Sequence, residues 1–404
     1  MTRRRMALAP AAALAALALL SAGCGGDDAE RAGTEPIRGT KLTVYSSMPR
    51  IGPRRAEGLA VERGAALALA ERRGRAGRYS VELRPLDAGR GSESQARSNG
   101  RRAIQDTLSV GYIGELDSQF SKITIPQMNL GGVPHIGPTN SYTGLTDDGP
   151  GSEVGEPDRY YRTGVNTFAR LVPRDDVQGR ALGQATREAG CRRVRIWRSN
   201  SPFGQGIART SRQGAEDAGV DVAGTEEIKP QQPSYVRQAR EIDADCLIWT
   251  GEPARSGAQI LRDAAEGNPA LKLFAASEHC TEGSGDLPPL ACTHPVVEPR
   301  SGRGREVLDR FRERFGDGGR ADAYAVYGYE AMMVLLAAVE KAAGDGGQIS
   351  RAKVSEAVYD LGARDGALGR YTIDAGGDVD LRGIGLFRLE RGELRSERVV
   401  TPAD

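Results

Sequence analysis

From Lys41 onward the chain alternates short apolar, β-type runs with segments of helical spacing, and it does so in two successive series. That order limits the fold to parallel, doubly wound α/β sheets, because a helix between two strands returns the chain to the same sheet edge in parallel. In the first series, 42–45, 79–86, 108–113 and 133–136 read as strands, and 54–73, 92–105 and 121–130 as helices. In the second, strands at 193–197, 220–222, 246–249 and 271–275 alternate with helices at 177–189, 204–218, 235–242 and 254–265. Helices at 306–315, 321–343 and 350–361 follow, and the tail 369–400 reads as antiparallel, with strands at 371–373 and 385–389. No repeat of 20–50 residues is present, which argues against a solenoid.

The N-terminus fixes the compartment. Arg3-Arg4-Arg5 is a basic head, 6–20 is an apolar run too short to span a bilayer, and Ser21-Ala22-Gly23 precede Cys24. This is the pattern of a secretory signal peptide over 1–23. Cys24 resembles the lipid-modified cysteine of a bacterial lipobox, which would tether the mature chain outside the cytoplasmic membrane through more than one acyl chain. Residues 24–40 then form a polar tether. After the leader no further apolar run is expected to act as a membrane helix.

About 380 residues remain after cleavage, enough for two cores. A net charge of +1 excludes the basic footprint of nucleic-acid binding. Cys191, Cys246, Cys280 and Cys292 are an even set in an oxidising compartment, with three possible pairings. Cys280 and Cys292 flank a Gly/Pro/Ser-rich loop and are expected to pair. Cys191 and Cys246 each open an apolar strand, and can be bridged if those strands are neighbours. Without CxxC or HxxxH spacing, a metal site is not expected.

Catalytic and cofactor signals are weak. Gly204-Gln205-Gly206 is followed by Arg209 where a dinucleotide fingerprint requires a small residue. Neither a nucleophile elbow nor a P-loop occurs, and His135, His279 and His294 pair with no evident nucleophile. An enzyme is not expected, and no cofactor is implied.

Two loops follow strands of the first series and are dense in hydroxyls: Gly114-Glu115-Leu116-Asp117-Ser118-Gln119-Phe120 and Gly137-Pro138-Thr139-Asn140-Ser141-Tyr142-Thr143. Such loops can hold a carboxylate, or can merely cap helices, and spacing alone leaves both open. These stretches, with 170–182, 203–206, 274–278 and 324–329, resemble the type I periplasmic binding proteins in order and spacing. The likeness is to the branched-chain amino-acid-binding receptors of ABC importers, and it runs from about residue 41 to 392.

The resemblance implies two α/β lobes, 41–168 with 298–366 and 169–297 with 367–404, joined by a three-crossing hinge near 164–170, 296–300 and 367–370. It implies a small ligand held between the lobes, an importer permease as partner, and a lipid anchor at the membrane. Ser118, Asn140 and Ser141, with Thr139 beside them, would hold the ligand carboxylate. Asp175 and Glu278 would meet its ammonium, and Tyr324 or Tyr327 would approach from the returning helix. Acceptors opposite donors across a cleft suit a zwitterion. Phe120, the Gly155–Tyr161 insertion and the segment Gly251-Glu252-Pro253-Ala254 depart from the better-known members. A ligand-sensing module, or a hydrolase on the same scaffold, are the alternative functions.

Overall fold

In the computed structural model, residues 33–251, 256–280, 287–344 and 346–402 are described. The leader and Cys24 lie outside them. The first series runs β1 (Lys41–Met48), α1 (Arg55–Glu71), β2 (Arg75–Ala76), β3 (Tyr79–Asp87), α2 (Glu93–Gln105), β4 (Ser109–Ile113), α3 (Ser118–Gly131), β5 (His135–Gly137) and β6 (Phe168–Arg170). These strands form a six-stranded sheet in the order β2-β3-β1-β4-β5-β6, parallel except for β2. Every residue of β4 is buried, as expected of a central parallel strand covered on both faces.

The second series runs α4 (Asp175–Glu188), β7 (Arg193–Arg198), α5 (Pro202–Asp217), β8 (Asp221–Glu227), α6 (Val236–Arg240), β9 (Cys246–Trp249), α7 (Ala258–Gly267), β10 (Lys272–Ala276) and β11 (Leu290–His294). The chain then returns to the first sheet with α8 (Gly302–Phe315), α9 (Ala323–Ala343), α10 (Arg351–Tyr359) and the hairpin β12 (Arg364–Gly366) and β13 (Gly369–Tyr371). Finally β14 (Ile384–Glu390) and β15 (Glu393–Val400) complete a seven-stranded sheet, β15-β14-β11-β10-β9-β7-β8, in which β14 and β15 are antiparallel. The result is a two-lobed α/β fold. Three chain passages connect the sheets, at 171–174, 295–301 and 372–383.

The antiparallel tail is present, but residues 369–371 pair with β12 instead of joining it. That hairpin is held to α9 by the buried Glu330 carboxylate, which accepts from the Tyr371 hydroxyl at 2.7 Å and the Ala367 amide at 2.8 Å. Residues 319–343, with α9 as their main part, are also long and apolar enough to cross a membrane, contrary to expectation, but they are mostly buried in the first lobe. A helix apolar on all sides is here a core helix. It lies so close to α1 that a Cβ on Gly64 would sit 2.0 Å from the Ala325 carbonyl, and one on Gly328 would sit 2.0 Å from that of Val61.

Both disulfides form. Cys191 bonds Cys246, since β7 and β9 are neighbours and Val194 pairs with Cys246 in register. Cys280 bonds Cys292, closing the loop into β11.

Candidate functional site

Strand order reverses between β1 and β4 in the first sheet and between β7 and β9 in the second. Ligands of open α/β sheets sit beyond the carboxyl ends of strands at such reversals. The loops beyond β4 and β5 are stitched together there. Thr139 donates its hydroxyl to the Leu116 carbonyl at 2.8 Å, and the Ser118 hydroxyl, at the first residue of α3, accepts the Tyr142 amide at 3.3 Å. Behind them Glu115 is buried, accepting from Ser47 at 2.8 Å and from Tyr112. Burial pushes its carboxyl up to about 7 against the pull of those two hydroxyls.

Asn140 is completely buried, and neither its amide oxygen nor its nitrogen has a partner. Its carbonyl is held by Arg170, itself fully buried at the end of β6. Arg170 also donates to the Tyr142 carbonyl at 3.0 Å and Thr146 Oγ1 at 2.5 Å, and its Nε lies 2.7 Å from Asp378 Oδ1 on the third passage. One guanidinium thus fixes the loop beyond β5 against the third passage. A second arginine, Arg174, bridges Asp147, Asp176 and Asp378 at 2.6, 3.0 and 3.1 Å.

Asp175 opens α4 where the first passage reaches the second lobe, and its amide donates to the Ser141 carbonyl at 2.8 Å. The side chain is buried and one carboxylate oxygen has no partner. Burial pushes the carboxyl up to about 6; the Ser141 hydroxyl and Arg170 oppose this, Asp176 adds to it, and Lys122 opposes it.

Glu278 lies in the turn Ser277–His279 directly after β10, but its side chain is outside the described residues. The turn is tied to α4, since Gln178 Nε2 donates to Ser277 Oγ at 2.6 Å and to the Thr293 carbonyl at 3.0 Å. The helix that begins with Asp175 therefore also fixes the loop that carries Glu278.

The two tyrosines differ. Tyr327 accepts the Val297 amide at 2.9 Å, so its hydroxyl serves the second passage. It also lines a cavity of about 400 Å³ between the three passages, shared with Leu171, Val297 and Ala367 but with none of Ser118, Asn140, Ser141 or Asp175. Tyr324 lies 3.3 Å from Nε2 of His294. Burial first, then Arg320 and Arg54, hold that imidazole well below its ordinary value, so it is neutral. Its Nδ1 accepts the Val296 amide at 3.0 Å, which leaves the hydrogen on Nε2. Tyr324 is then the acceptor, and its own proton is free to donate.

Sequence reasoning assigned no role to Arg170 or His294. Arg170 stood inside a stretch matched to the family, but its burial depends on Asp378, more than 200 residues away. His294 owes its neutral state to packing between β11 and α9.

With this geometry in hand, comparison with known proteins is decisive. The sequence profile described as periplasmic binding protein matches residues 47–388. The chain belongs to the periplasmic binding protein family. The Leu/Ile/Val-binding protein homolog 1 of Brucella abortus is 22% identical to this periplasmic binding protein over 364 residues, covering 87% of this chain and 91% of that one. The leucine-binding protein of Thermotoga maritima superposes with a TM-score of 0.69 at 22% identity, covering 89% of this chain and 99% of its own. A solute-binding protein from R. palustris in complex with benzoate gives 0.66 at 18% identity, over 90% of this chain and 97% of that one.

Proposed function

We propose that this periplasmic binding protein is the extracytoplasmic receptor of an ABC importer, trapping a small amino-acid-like solute between its lobes by hinge closure. The observation that carries the reading is Asp175. Its buried carboxylate has an unpartnered oxygen and adjoins Ser141 of the hydroxyl-rich loop, so acceptor and donors stand side by side. Ser118, Asn140 and Ser141 address the carboxylate, with Thr139 beside them holding the loop through the Leu116 carbonyl; Asp175 with Glu278 addresses the ammonium, and Tyr324 supplies one further donor. Tyr327 acts in the hinge. Relatives named for leucine, isoleucine and valine, and one holding benzoate, share the carboxylate and differ in the amine. The family membership supports an extracytoplasmic location, and the leader sequence supports a tether through Cys24. Cys24→Ser should move the chain from the membrane fraction to the soluble exported fraction, and unchanged membrane retention would remove the lipid from that residue.

A thermal-shift screen of the mature domain against amino acids, amides and aromatic acids tests the ligand class. At a hundred times the dissociation constant a ligand adds roughly 2.7 kcal/mol, easily seen as a rise in melting temperature. Response to amino acids is the expected result. Response only to acids without an amine would discard the ammonium role of Asp175 while keeping the carboxylate loops.

A further inference from the structure

The connection between β5 and β6 is long, and its middle leaves the first lobe. A Cβ on Gly151 would sit 3.1 Å from the Gly206 Cα and 3.3 Å from the Pro202 carbonyl, both in α5 of the second lobe. A Cβ on Gly206 would lie 2.5 Å from the Gly151 Cα and 2.9 Å from the Pro150 carbonyl. Backbone therefore touches backbone across the lobes, and the nearest neighbours of a side chain at 206 all belong to the other lobe.

The segment is held rigidly at its base. The buried Glu156 carboxylate accepts from the Tyr142 hydroxyl at 2.8 Å, Arg159 at 2.5 Å, the Glu153 amide at 2.7 Å and Tyr160. The Lys122 ammonium adds a contact at 3.2 Å and lies 3.9 Å from the Tyr142 ring centroid. Burial alone would raise the Glu156 carboxyl, but these donors outweigh it and keep it ionised. Tyr142 is in the candidate ligand loop, so strap and ligand loop share one anchor.

The strap is tied to the first passage, because Asp147 accepts from Arg174 at 2.6 Å and from the Gly149 amide at 2.7 Å, whereas α5 belongs to the second sheet. Opening about the passages is expected to shear strap and α5 apart, since the one moves with the first lobe and the other with the second.

We infer that residues 149–152 are a closure strap that meets α5 only when the lobes are shut, and that Gly151 and Gly206 are positioning residues that set how readily they shut. This rests on the receptor reading, but its test needs no solute. Ser152→Cys and Gln205→Cys, in a Cys24→Ser background, place thiols one residue from the contact on each lobe. Their Cα atoms are then within about 12 Å in the closed state. The rate of linking by a short bis-maleimide in the ligand-free protein reports the closed population. Gly206→Ala should slow that rate tenfold or more while leaving the melting temperature unchanged or higher, since alanine favours a helix and meets only strap atoms. Equal rates, or a melting temperature that falls together with the rate, would overturn the inference. A screen that finds no solute would count against the receptor reading and leave this result standing.

Discussion

Asp175→Asn is expected to weaken binding of a zwitterionic solute by about 2–4 kcal/mol, because it removes the charge partner of an ammonium inside a desolvated cleft. The pH dependence should go with it. The empty site holds the Asp175 carboxyl at about 6, above its ordinary 3.8, and only the ionised form attracts an ammonium. Affinity should therefore be flat above pH 7 and fall by up to tenfold per unit as pH drops below 6, and in the variant the slope should vanish. Stability should move the other way. A group whose native pKa is raised contributes stability that is complete below the unfolded value of 3.8 and is lost as pH rises through about 6. The ligand-free variant should accordingly melt no lower than the parent at pH 7. Titration calorimetry at pH 5, 6 and 7.5, with a melting curve of each empty protein, separates the two roles. A variant that binds as well as the parent, or that is destabilised when empty, would make Asp175 a structural helix-start residue.

Much of the fold was legible because each central strand carries its own signal. The apolar runs at β4, β9 and β10 read as covered parallel strands, and Cys191 just before β7 and Cys246 opening β9 pair as the adjacency of those strands allows. What was not legible depends on contacts distant in sequence. β11 was missed because Pro288 and Pro289 precede it and Cys-Thr-His interrupts its apolar character. Residues 369–371 read as part of the tail, yet they belong to a hairpin because Glu330 offers a buried carboxylate to Tyr371 and Ala367. The same limit applied to the site. Ser118, Thr139, Asn140, Ser141 and Asp175 could be placed by resemblance to a known loop pattern, and the structure brings their loops together. Tyr324 and Tyr327, three residues apart on one helix, could not be told apart until His294 and Val297 were seen against them. Nor does the spacing of Gly151 and Gly206 announce a contact, since the two glycines lie in different lobes and meet only in the folded chain.

Arg170 illustrates that limit most sharply, and its replacement carries the largest expected loss of stability. In a chain with 55 lysines and arginines, an arginine at a strand end reads as surface. Instead it is fully buried and holds two separate segments: it donates to the Asn140 and Tyr142 carbonyls and Thr146 in the loop beyond β5, and forms an ion pair with Asp378 on the third passage. Arg170→Met preserves much of the apolar volume and removes every donor, leaving buried carbonyls unmet and Asp378 with Arg174 as its remaining ion-pair partner. Losing one partner of a buried ion pair costs roughly 3–5 kcal/mol, and that range is expected here for the ligand-free protein. Arg170→Lys should recover little, since a single ammonium cannot span a fork of acceptors on both segments. Asp378→Asn combined with Arg170→Met should cost less than it does alone, because the two side chains share one interaction. Ligand affinity should fall as well, although Arg170 is assigned no contact with the solute, because the loop bearing Asn140 and Ser141 loses its fixed point. Denaturant melts of the parent, the two single variants and the double variant decide the matter. A loss below about 1 kcal/mol for Arg170→Met, or strictly additive effects with Asp378→Asn, would show that hinge and ligand loop are held together by something other than this guanidinium.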